Sequence, residues 1–215
     1  EGMKCEKKTY IRCNTSKASR EQIKELLQSE NVTVKEVENI PYAYEISDYD
    51  YIAGLKSFQD GMYQIQDISS MLAGEYTAPK AGDTIVDVCG APGGKSINAA
   101  LKMSEQGDCG RVIARDLSDY KVALIDENIK RLNITNIQTQ VYDALDCDES
   151  LINKADIVIA DLPCSGLGII GRKPDIKYNA SPEKLQSLVD LQRDILKVVS
   201  RYVKSGGVLM YSTCT

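Results

Sequence analysis

The chain has 215 residues, enough for one or two domains with a real core. Its 43% apolar and 27% charged content excludes a disordered or fibrous class. No apolar run is long enough to span a bilayer, and the polar start lacks a secretory pattern. Seven widely spaced cysteines, an odd number, argue against a disulfide framework and for a reducing, cytoplasmic setting. There is no histidine and no C-x-x-C pair, so neither a histidine-based triad nor a zinc site is expected. Net charge is -5, but residues 164–205 carry eight Lys/Arg against four Asp/Glu, leaving -9 on the rest. A local positive balance of this kind suits either a solvated helix face or an anionic partner.

In chain order, residues 10–14 predict a short strand. Ser19 with Gln22 reads as a capping box opening a helix whose apolar stripe is Ile23, Leu26 and Leu27. Val32, Val34 and Val37 predict another strand, completing a small βαβ-like unit. Residues 41–61 are rich in tyrosine and turn formers, so a boundary is expected near 60, dividing a small α+β subdomain (1–60) from a larger domain (61–215). A helix over 66–76 follows. Strands are then expected at 84–89, 111–115, 137–141, 157–161 and 208–213, with helices at 95–104, 120–132 and 182–202. Short apolar strands alternating with helices predict an α/β fold, a doubly wound parallel sheet with its ligand at the strands' carboxyl ends.

The first of these strands runs into Cys89, Gly90, Ala91, Pro92, Gly93, Gly94 and Lys95. Small residues let backbone approach a ligand, and the next helix offers free N–H groups and a positive dipole end. Gly94-Lys95-Ser96 ends like a phosphate loop, but that loop needs glycine at position 89 and an N–H where Pro92 stands. The G-x-G-x-x-G spacing of nicotinamide-binding folds is also missing. Asp116 follows the second strand, where a carboxylate suits a ribose diol or a helix N-cap. Asp143 ends the third, where it suits an adenine amino group or a turn. Asp161-Leu162-Pro163-Cys164 follows the fourth strand and Ser212-Thr213-Cys214 the fifth, which puts two cysteines at the ligand edge. A free cysteine is most often a small buried apolar residue. Two of them at that edge favour chemistry.

Asp87-x-Cys89-Gly-Ala-Pro-Gly-Gly-Lys95, Asp161-Leu-Pro-Cys164 and Thr213-Cys214 together resemble the RNA 5-methylcytosine methyltransferases, and within them the bacterial Sun/RsmB group that modifies small-subunit ribosomal RNA. The likeness extends to residues 63–70, to Pro174-Asp175-Ile176-Lys177-Tyr178 and to Gly206-Gly207-Val208. It implies a Rossmann-like fold with S-adenosylmethionine as cofactor, held or bordered by residues 89–95, Asp116, Asp143 and Asp161. Cys214 is then the nucleophile and Cys164 assists product release. Asp161 is the candidate hydrogen-bond donor to ring nitrogen 3, provided that burial keeps it protonated. RNA, ribosomal most of all, is the expected partner, against Arg172, Lys173 and Lys177, with no metal and a monomeric state. The likeness also implies closing strands after Cys214 and a helical RNA-binding domain upstream, neither of which the sequence contains. Gly90 stands where alanine is common, Arg115 where an apolar residue is usual, and Tyr178 where tryptophan is frequent. The alternatives are methylation of transfer RNA by the same chemistry and an RNA-binding assembly factor that keeps the fold without methylating. A binding module does not need two cysteines.

Overall fold

The chain is described by a computed structural model over residues 8–107, 110–167 and 181–213. Strand β1 (Thr9–Cys13) leads to helix α1 (Arg20–Ser29). The capping box is present: Ser19 Oγ accepts from Gln22 N–H at 3.2 Å, and Gln22 Oε1 accepts from Ser19 N–H at 2.8 Å. Ile23 and Leu27 are buried, whereas Leu26 turns outward at 41% exposure, so the apolar stripe is narrower than expected.

Strands β2 (Thr33–Glu36), β3 (Ala43–Ser47) and β4 (Tyr63–Ile65) join β1 in an antiparallel sheet of order β2-β3-β1-β4. The unit is therefore not βαβ. β3 lies between β1 and β2 and runs against both, with Ile11 opposite Tyr44 and Val34 opposite Ile46. Two strands thus come from the tyrosine-rich stretch and its border, and pairing with β1 extends to Ile65. Ile11, Ile23, Leu27, Tyr44, Ile46 and Tyr63 form the core under this sheet.

The second sheet is parallel throughout: β5 (Thr84–Asp87), β6 (Arg111–Asp116), β7 (Ile137–Val141), β8 (Ala155–Asp161) and β9 (Val203–Ser212), in order β7-β6-β5-β8-β9. Side chains alternate between its faces. Ile85, Val112 and Ile157 meet Ile97, Ala100 and Leu101 of α4 (Gly94–Ser104). Val86, Ile113 and Val158 meet Ile195 and Val199 of α6 (Pro182–Val199). Helix α5 (Asp119–Leu132) adds Leu132 to the α4 side. Apolar strands covered on both faces are the expected doubly wound fold, and chain order reverses between β5 and β8, where such sheets open a crevice. β9 starts earlier than expected. Ala155 pairs with Val203 but Ile157 with Val208, and Gly206, at φ +78°, lies in the extra loop of strand.

The two sheets are tied around α5. The Arg131 guanidinium donates to the Phe58 and Tyr63 carbonyls at 2.9 and 3.0 Å, and to Gln64 Oε1. It also lies 3.9 Å over the ring of Phe58, in the short helix α2 (Lys56–Gln59). This fastens β4, and the segment leading into α3 (Ile68–Thr77), beside the edge of the parallel sheet.

Candidate active site

In β5 the apolar pair Ile85 and Val86 leads to the last residue, Asp87, which is 1% exposed. The chain then turns through residues 88–93 into α4. Gly90 N–H donates to the Arg115 carbonyl at 2.8 Å, and Gly93 N–H to the Gly90 carbonyl at 2.6 Å. Gly93 takes φ +99° at the N-cap, and no side chain caps α4. The loop borders a cavity of about 240 Å³. Cys89, Gly90, Ala91, Pro92, Gly94 and Lys95 all line it, whereas Gly93 does not. The other walls are Asp87, Asp161 and part of residues 64–70.

Electrostatics in the cavity are uneven. Asp87 Oδ2 accepts from Ser96 Oγ at 2.5 Å, and its Oδ1 has no partner among the described residues. Burial pushes the Asp87 carboxyl up to about 6, against the opposing pull of the Ser96 bond and Lys95. Burial, then the charges of Asp87 and Asp116, push the Cys89 thiol up to about 12, so it stays a neutral wall group. Lys95 Nζ donates to Asp161 Oδ2 at 2.6 Å and to Ser70 Oγ at 3.2 Å. Asp161 Oδ1 accepts from Ser212 Oγ at 2.6 Å, which joins the ends of β8 and β9.

Asp161 therefore differs from the expected buried proton donor. Its side chain is 36% exposed and both oxygens accept hydrogen bonds. The deep burial that such a role needs is found at Asp87 instead. Asp116 is 3% exposed. It accepts from Ala91 N–H at 3.0 Å and Leu117 N–H at 2.8 Å, and pairs with Lys121 at 3.0 Å. Ser118, not Asp116, caps α5. Asp143 sits just past β7 and accepts from Leu145 N–H at 2.9 Å, as a turn aspartate does. Both acids lie at the carboxyl edge of the sheet, beyond the cavity lining.

Cys164 follows β8 by three residues and is disulfide-bonded, whereas Cys13, Cys89 and Cys147 are free thiols. Cys214, Arg172, Lys173 and Lys177 lie outside the described residues. Among the described residues no group of three or more His, Cys, Asp or Glu could hold a metal, and no helix is long and apolar enough to cross a membrane. Sequence reasoning gave Asp87, Gln66, Ser70 and Ser212 no role. The signal for Asp87 was present, as an acid ending an apolar strand next to a glycine loop. The others depend on contacts between distant segments.

The cavity suits a cationic ligand that also carries polar groups. Asp161 is already paired with Lys95, so Asp87 supplies the unbalanced carboxylate, and the uncapped start of α4 offers N–H groups. A sulfonium nucleoside with an amino-acid tail has matching chemistry.

Residues 75–215 match the model of a family described as 16S rRNA methyltransferase RsmB/F. The probable ribosomal RNA small subunit methyltransferase B of Bacillus subtilis (strain 168) is 39% identical over 97% of this chain and 46% of its own length. The crystal structure of PH0851 is 31% identical, with a TM-score of 0.92 over 99% of this chain and 47% of its own. A methyltransferase homolog from Pyrococcus horikoshii is 26% identical, with a TM-score of 0.83 over 99% of this chain and 66% of its own. The chain spans about half the length of the curated relatives that it matches.

Proposed function

Because the chain belongs to the 16S rRNA methyltransferase RsmB/F family, we propose that it transfers a methyl group to carbon 5 of a cytosine in 16S ribosomal RNA, with Cys214 as nucleophile. S-adenosylmethionine is the cofactor and supplies an electrophilic methyl group. The observation that carries the reading is the joined edge of β8 and β9. Asp161 and Ser212 end these strands 2.6 Å apart, with Asp161 also bound to Lys95 of the glycine loop. Asp-Leu-Pro-Cys164 and Thr213-Cys214 follow from that edge in sequence.

Carbon 5 of cytosine is a poor nucleophile. The Cys214 thiolate adds to carbon 6, and the ring becomes an enamine whose carbon 5 would take the methyl group as its bond to the cofactor's sulfonium sulfur breaks, the sulfur leaving as a neutral thioether. Cys164 or water then takes the carbon 5 proton, the electrons return to the ring, and the sulfur–carbon bond breaks to release Cys214 as thiolate. Cys164 assists this last step, for which its disulfide must be reduced. Lys95 holds Asp161 in place at the cavity wall. The target base must leave its stack to reach the cysteine. Arg172, Lys173 and Lys177 bind the RNA backbone beside it.

The test is a denaturing gel of the full-length, reduced enzyme with RNA and cofactor, together with mapping of 5-methylcytosine in ribosomal and transfer RNA. Cys214→Ala forms neither adduct nor product. Cys164→Ala slows breakdown more than formation, so a slow protein–RNA band builds up and vanishes in the double variant. The band appearing in Cys214→Ala instead reverses the two roles. RNA binding by the parent protein without methylation makes it an assembly factor, and methylcytosine confined to transfer RNA changes the substrate.

A further inference from the structure

One wall of the cavity comes from the run between β4 and α3, not from the parallel sheet. Gln66 lies in this run. Its N–H donates to the Tyr10 carbonyl of β1 at 3.1 Å, so the backbone is held by the antiparallel sheet. Its side chain lines the cavity, and the residue is only 6% exposed. Both Oε1 and Nε2 are buried and have no hydrogen-bond partner among the described residues. A buried amide with neither end paired is costly and uncommon, and it calls for a partner that the chain itself does not supply.

The surroundings restrict that partner. A Cβ built on Gly94 would lie 3.6 Å from Gln66 Nε2, so the amide sits over the first residue of α4. That helix start has no side-chain cap. Asp87, whose Oδ1 is likewise buried and unpartnered among the described residues, lines the same cavity. The wall thus offers two acceptors, Gln66 Oε1 and Asp87 Oδ1, beside donors at Gln66 Nε2 and the start of α4. An α-amino acid group needs acceptors for its ammonium and donors for its carboxylate, side by side. A nucleoside alone offers no such zwitterion.

We propose that Gln66 is a cofactor-binding residue that recognises the α-amino acid end of S-adenosylmethionine, its amide bridging ammonium and carboxylate beside Asp87. The inference rests on the reading that the cofactor occupies the cavity at the glycine loop. It makes the antiparallel sheet part of the cofactor site, because β1 and the Arg131 tie to Gln64 set where the amide stands.

The experiment is calorimetry on the full-length, reduced protein with two ligands. S-adenosylhomocysteine carries the amino acid end, and 5′-methylthioadenosine lacks it. Gln66→Leu removes both ends of the amide, and Gln66→Glu keeps the shape but replaces the donor by a negative acceptor. Both variants should bind S-adenosylhomocysteine about tenfold more weakly or worse, with Gln66→Glu the weaker binder. 5′-Methylthioadenosine should bind both variants as it binds the parent, which also shows that they are folded. Unchanged S-adenosylhomocysteine affinity overturns the proposal and leaves the amide merely hydrated. An equal loss for both ligands overturns it too, since Gln66 then acts on the cavity as a whole. Asp116→Ala separates the underlying reading. It should weaken both ligands through the adenosine end, and if it weakens neither, the placement of the cofactor fails and the proposal with it.

Discussion

Asp87 is a carboxyl group that folding places among apolar strands, with one oxygen bound to Ser96 and the other unpartnered. Its folded value of about 6 lies above the ordinary 3.8 because burial outweighs the Ser96 bond, Lys95 and the Cys89 backbone, with Asp161 adding to the rise. Below pH 3.8 the group is protonated whether the chain is folded or not, and it costs nothing. Between 3.8 and about 6 the unfolded chain loses this proton first, so stability falls as pH rises. Above about 6 the penalty is complete and constant. Asp87→Asn removes the ionisation. Its stability relative to the parent should therefore climb between pH 4 and 7, by at most about 3 kcal/mol, and then level off. Urea denaturation across that range checks it, and a difference that ignores pH would clear Asp87 of the effect. The natural carboxylate is thus a cost to the empty fold, which fits a group placed to meet a cationic ligand.

The link from β5 to α4 decides where the glycine loop points. Gly93 is at φ +99°, a region that residues with a Cβ seldom enter. A Cβ there would also stand 3.1 Å from Ile97 Cδ1 and 3.2 Å from Ile125 Cγ2. Gly107 has a similar φ of +90° but nothing within 4 Å of its Cβ position. Gly107→Ala should therefore cost only the backbone strain, roughly 1–2 kcal/mol. Gly93→Ala should cost visibly more and also weaken S-adenosylhomocysteine binding, since the loop must shift. Thermal denaturation of the two variants side by side checks this, and a Gly93→Ala that melts no lower than Gly107→Ala would show that the contacts with α4 and α5 yield freely. Element type was legible wherever the signal was local. Ser19 and Gln22 marked α1, and the apolar runs Ile85–Val86 and Ile157–Ala160 marked β5 and β8. β3 and β4 were missed because what makes Ala43–Ser47 and Tyr63–Ile65 strands is pairing with β1, across more than 30 and about 50 residues of chain respectively.

For the molecule as a whole, charge and architecture divide the labour. The chain is acidic overall, yet the stretch following β8 carries a net +4. If Arg172, Lys173 and Lys177 meet phosphates, each neutralised phosphate releases about one counterion, so changing all three to alanine should reduce the salt slope of RNA binding by about three. Filter binding over a salt series measures it, and an unchanged slope would make this loop an ordinary solvated surface. The two sheets act as one body through Arg131 and through Asn14, whose Nδ2 donates to the Gly61 and Leu132 carbonyls at 2.9 Å each. The smaller sheet is therefore structural support for the cavity and also contributes part of its wall.

The sequence by itself determined the doubly wound sheet, the glycine loop and the ordered motifs at the strand ends. These depend on local periodicity and on residue types whose chemistry does not change with context. Only the tertiary structure decided which carboxylate is buried, since Asp87 and Asp161 both end apolar strands and read alike. Depth under α4 separates them: Asp87 lies beneath Ser96, while Asp161 reaches out to Lys95 and Ser212. The same holds for Gln66. Nothing local distinguishes it from Gln64, which also lines the cavity, yet Gln64 accepts from Arg131 of α5 while Gln66 has no partner among the described residues, a difference made by where α5 packs and not by the strand.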